Sequence, residues 1–112
     1  MKSLIRLAAA ATLSLGLVAC ATTGANSPQM TGQFQQGKSA FATGNYTQAF
    51  NNLLPVAKAG NPDAQYAVGY MYYYGKGVVE NKQMASYWMG KAAAQGQPAA
   101  NKALTAINTQ SN

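Results

Sequence analysis

Residues Ala64 to Gly96 read AQYAVGYMYYYGKGVVENKQMASYWMGKAAAQG, and this stretch decides the fold. In its first part Ala64, Ala67, Val68, Met71 and Tyr72 recur at the spacing that gathers side chains on one helical face. In its last part Ala85, Trp88, Met89, Ala92 and Ala93 do the same. Gly75-Lys76-Gly77-Val78 separates the two periods and reads as a turn. Small residues fall where two helices must approach, so the stretch predicts a helix over Pro62 to Tyr74, a turn, and a helix over Lys82 to Gln95.

Part of this pattern recurs 36 residues away in both directions. Asn45, Ala49, Ala57 and Gly60 match Asn81, Ala85, Ala93 and Gly96. Pro62, Ala64 and Ala67 match Pro98, Ala100 and Ala103. The matched positions have physical roles. Asn45, Asn61 and Asn81 suit N-caps, where a side-chain oxygen accepts a hydrogen bond from a free backbone N–H. Gly60 and Gly96 suit the left-handed position after a helix. Pro62 and Pro98 suit the first helical turn, and Asp63 favours the positive end of a helix. Tyr46, Ala49, Phe50, Leu53, Leu54 and Ala57 predict another helix over Tyr46 to Ala59, kinked at Pro55 because proline lacks one ladder N–H. Phe34, Gly37, Ala40 and Phe41 mark a helix before Gly44. Leu104 and Ile107 mark one over Pro98 to Ile107.

With these residues in place, the chain resembles the Sel-one-like repeat, a relative of the tetratricopeptide repeat. Ala64, Val68, Gly69, Tyr72, Gly75, Gly77 and Val78 fill the first half of that pattern. Ala85, Trp88, Lys91, Ala92, Ala93 and Gly96 fill the second, with Asn81 in place of the usual Asp. The preceding unit lacks the Gly-x-Gly-Val turn, so pairing Gly37 with Gly69 requires about four fewer residues there. The resemblance implies an all-α fold, a short helix-turn-helix array or α/α solenoid. It also implies core roles for Tyr72 and Trp88, a first helix of each unit lining a concave side, and a non-catalytic role in binding protein. Arrays of this kind gain stability from neighbour interfaces. One full unit, one shortened unit and a capping helix make a small stack, which leaves room for a homo-oligomer or a bound partner to add to it.

The amino terminus is a separate signal. Lys2 and Arg6 precede an apolar run, Leu7 to Val18, shorter than the ~20 residues that span a bilayer. The run ends in Leu17-Val18-Ala19-Cys20. This resembles the lipobox of bacterial lipoproteins, which implies lipidation of Cys20 and cleavage before it. Cys20 is the single cysteine, which excludes an internal disulfide. Ala21, rather than the Asp that in this family often marks inner-membrane retention, points to an outer membrane and a domain facing the periplasm. The expected organisation is a signal peptide over 1–19, a flexible tether over 20–32 and a repeat domain over 33–107. That domain divides into a shortened unit (33–61), a full unit (62–97) and a capping helix (98–107), followed by a polar tail over 108–112.

Composition narrows the function. Apart from Lys2 and Arg6 the chain has six scattered lysines against Asp63 and Glu80, with no histidine. No basic cluster suits nucleic acid, and no His/Cys set suits a metal. Gly32-Gln-Phe-Gln-Gln-Gly37-Lys38-Ser39 fits the P-loop spacing, but a polar tether precedes it where a P-loop requires a strand. No cofactor is expected, and a carboxylate-pair hydrolase would rest on Asp63 and Glu80 alone. The remaining signal is Tyr66, Tyr70 and Tyr73 at i, i+4 and i+7, nearly opposite Ala64, Val68 and Met71, with Tyr74 at the margin. This candidate binding surface suits an envelope protein, with Lys76 adding polar contacts at its rim. It suits cell-wall glycan equally, since aromatic platforms also take sugar rings.

Overall fold

The computed structural model describes residues 27–110. They form five helices and, among the described residues, no strand. These are α1 (Pro28–Ala42), α2 (Tyr46–Lys58), α3 (Pro62–Tyr74), α4 (Lys82–Ala94) and α5 (Pro98–Gln110). Each packs against the next in chain order. This is the all-α helical array that the 36-residue period requires. The expected signal peptide, Cys20 and the expected tether up to residue 26 lie outside the described residues.

Local chemistry sets the helix ends. α1 through α4 each close with a hydrogen bond from an N–H two or three residues past the helix end to a carbonyl five residues back. The pairs are Asn45 to Ala40, Asn61 to Val56, Lys76 to Met71 and Gln97 to Ala92. This Schellman geometry needs a left-handed residue just before the donor, and Gly60 and Gly96 supply it at φ +109° and +86°. At the starts, Asn61 Oδ1 accepts from Ala64 N at 2.9 Å and Asn81 Oδ1 from Met84 N at 3.0 Å. Asn45 departs from the expectation. It sits at the N-cap of α2, but its amide turns away and donates to Thr43 Oγ1. α5 is capped by a residue the sequence reading missed, Gln97, whose Oε1 accepts from Ala100 N at 2.7 Å. Asn61→Ala is therefore expected to cost about 1 kcal/mol in a denaturant melt. Asn45→Ala, which breaks no cap bond, should cost less than half of that. Equal losses would refute the distinction.

Two ends of the array differ from the sequence expectation. α1 opens at Pro28, inside the segment read as tether, because Ser27 caps it through Met30 N and both Met30 and Phe34 pack on the core. α5 runs to Gln110, past Ile107 and into the stretch read as tail. There Tyr73 Oη donates to Gln110 Oε1 at 2.7 Å and ties the last turn to α3. α2 runs from Tyr46 to Lys58 with Pro55 inside it, as expected. The acceptor left without its proline donor is the carbonyl of Asn51, an exposed residue that water can reach.

The core joins Ala49, Phe50, Leu53, Val56 and Ala57 of α2 to Ala64, Val68 and Met71 of α3 and Trp88 of α4. Alanines recur there because helices with small contact residues can approach closely. Glycines do the same at two matched points. A Cβ on Gly37 would meet Leu53 Cγ at 2.6 Å, and one on Gly69 would meet Met89 Cγ at 2.7 Å. Leu53 and Met89 are themselves 36 residues apart, so the structure pairs Gly37 with Gly69 as the shortened turn of the first unit requires. Tyr72 stacks edge-on against Phe50 with ring centroids 5.4 Å apart, and Trp88 is buried.

Candidate docking groove

α1, α3 and α5 present one side of the array, with α2 and α4 beneath them. Two adjoining depressions lie on this side. The first, about 250 Å³, is bounded by Lys38 and Phe41 of α1, Leu53 of α2 and Tyr66, Ala67 and Tyr70 of α3. The second, about 200 Å³, is bounded by the α3 tyrosines 66, 70, 73 and 74, by Met89 of α4 and by Ala103, Ala106, Ile107 and Gln110 of α5. Tyr66 and Tyr70 belong to both and form the rib between them.

The repeat generates both hollows. Lys38 and Phe41 move by 32 residues onto Tyr70 and Tyr73. Leu53, Ala67 and Tyr70 move by 36 onto Met89, Ala103 and Ala106. One helix-pair geometry thus produces the same hollow twice, with a lysine at its edge in one copy and a tyrosine in the other. α3 supplies one wall to each.

Tyr66, Tyr70 and Tyr73 come together here as their i, i+4, i+7 spacing predicts. All three are half-buried, with an edge left facing the groove. Ring contacts fix them. Tyr70 stacks on Phe41 at 5.8 Å and on Tyr74 at 4.7 Å, and Tyr73 stacks on Tyr74 at 4.9 Å. Rings held this way lose little conformational entropy when a partner covers them. Lys38 Nζ lies 4.6 Å from the Phe34 ring and Lys82 Nζ lies 4.3 Å from the Tyr73 ring. Lys76 does not bound either depression; its Nζ sits 4.6 Å over Tyr46. Phe41, Leu53, Met89 and Ala106 were not singled out from sequence as groove residues, although the period that relates them was visible there.

Of the other motifs, only Lys38 of the Gly32–Ser39 stretch reaches the groove. Gly32 to Ser39 lies within α1, so its backbone N–H groups serve a helix rather than a phosphate nest. Asp63 stands in the first turn of α3, where its Oδ1 accepts from Gln97 Nε2. Glu80 is exposed in the turn before α4.

Residues 62–97 match the Sel1 repeat family. The matched span is one full helix-turn-helix unit, α3 through α4 with its closing turn. Repeats of this family generally mediate protein–protein interaction and are generally non-catalytic. Over 46 residues the chain is 46% identical to the chitin synthase regulator SKT5 of Saccharomyces cerevisiae, which covers 41% of this chain and 7% of that protein. The chain therefore corresponds to a small fraction of that relative. No solved structure matches it.

Proposed function

We propose that this chain is a non-catalytic docking module, held in a bacterial envelope by lipid on Cys20 and binding a protein through the Tyr66–Tyr70–Tyr73 groove. The observation that carries the reading is the pair of apolar, tyrosine-ribbed hollows. Preformed apolar pockets edged by rigid aromatic rings are where protein interfaces concentrate their binding energy. A glycan site needs several converging polar groups, whereas the first hollow offers only the Lys38 amine and two phenol hydroxyls. The lipobox-like Leu17 to Cys20 supports the anchor, and Ala21 supports outer-membrane placement with the domain in the periplasm. Among the described residues no helix is long and apolar enough to cross a membrane, so membrane attachment in this proposal rests on the lipid.

One experiment with two arms tests the proposal. A photo-crosslinking side chain at Tyr66 should give a discrete protein adduct in the producing cell, while the same group at exposed Tyr87 of α4 should give none. Labelled palmitate should enter the wild-type chain and be absent from Cys20→Ala. Sedimentation of the chain with purified peptidoglycan, without any Tyr66 adduct, would move the assignment to glycan. Equal palmitate labelling of both chains would remove the anchor.

A further inference from the structure

We infer that the groove takes one acidic stretch of a partner polypeptide and seats two of its apolar side chains, one in each hollow. This rests on the docking reading above and adds the chemistry of the occupant. Each hollow is smaller than the ~300–1,000 Å³ clefts that enclose a small molecule, and each suits a single large side chain. Because the hollows share the Tyr66–Tyr70 rib, side chains filling both must lie close together on one segment.

Charge sets the rest. The described residues hold six lysines against Asp63 and Glu80, and no ion pair forms among them. Lys38 edges the first hollow, and Lys82 lies against Tyr73 at the second. Both are exposed and rest on ring faces, which hold the ammonium in place without neutralising it. Asp63 and Glu80 line neither hollow. One ammonium therefore edges the first hollow and another rests against the Tyr73 ring of the second, beside an apolar floor. A segment with carboxylates flanking its apolar anchors is complementary to the groove, and a basic segment is repelled.

The full chain in detergent, panned against a phage library of random short peptides, tests the inference. The enriched pool should be rich in Asp and Glu around a pair of Leu, Phe or Met. Synthetic copies should bind about tenfold more weakly to the double variant Lys38→Glu, Lys82→Glu, and should weaken as salt is raised. Ala106→Trp, which fills the second hollow from an exposed position, should weaken them as much as Tyr70→Ala does, and so separates blocking from misfolding. A pool without acidic bias that is still sensitive to Ala106→Trp would overturn the charge inference and leave the docking groove standing. An acidic pool indifferent to Tyr66→Ala, Tyr70→Ala and Ala106→Trp would overturn both. Failure to enrich any peptide, with sedimentation of the chain on phosphatidylglycerol-containing but not pure phosphatidylcholine vesicles, would assign the lysines to a lipid surface instead.

Discussion

Gly77→Ala should lower the stability of the repeat domain by about 3 kcal/mol, among the largest losses open to a single methyl group in this chain. Two costs add. Gly77 has φ +75°, where an L-residue pays roughly 1–2 kcal/mol. The new Cβ would also fall on the Tyr46 carbonyl and lie 2.8 Å from Thr47 N, at the first turn of α2. Those are backbone atoms and cannot rotate aside, so overpacking adds about 1–3 kcal/mol. For a domain of this size each kcal/mol moves the melting midpoint by about 4–8 °C, which gives a fall of roughly 12–24 °C in a circular-dichroism melt. A fall below about 4 °C would mean that the α3–α4 turn does not press on α2.

Gly69→Leu should be comparably severe through a different mechanism. Gly69 is helical and unstrained; its constraint is the neighbouring helix. A Cβ there meets Met89 Cγ at 2.7 Å, and the Ala85 carbonyl and Met89 N at 3.1 and 3.2 Å. The flexible methionine can move, but the α4 backbone can yield only if the helices part. We expect a loss of about 3 kcal/mol or more, together with loss of peptide binding, because Met89 floors the second hollow. Gly90→Ala is the internal control. Nothing lies within 4 Å of its added Cβ, so removing a mid-helix glycine should stabilise by about 0.5–1 kcal/mol. Equal responses at Gly69 and Gly90 would show that helix propensity, rather than close approach, governs both sites.

The same contrast explains what could be read in advance. Asn61 and Asn81 as caps, Gly60 and Gly96 as stops, and Pro62 and Pro98 as openers all act within about five residues. Each therefore leaves a mark in the string, and the α3 boundaries follow residue for residue. Tyr66, Tyr70 and Tyr73 share a face for the same reason: helical periodicity alone aligns them. The extra turns of α1 and α5 were less legible. Pro28 to Thr31 and Asn108 to Gln110 are polar segments whose helicity draws on contacts with distant partners, Met30 with the core and Gln110 with Tyr73.

Sequence by itself thus determined that this is a helical array, where its helices fall and which face of α3 carries the rings, because those depend on hydrogen bonds and periodicities local to the chain. Only the tertiary structure decided that the α3–α4 turn rests on Tyr46. It also decided that the buried Gln65 is satisfied by the Ala57 carbonyl and by Gln95, and that Leu53 and Met89 floor two equivalent hollows. Gln65 and Gln95 are thirty residues apart, and Tyr46 and Gly77 are thirty-one. Their meeting is set by the angle and closeness at which whole helices pack, a property of many small side chains together that no short stretch encodes.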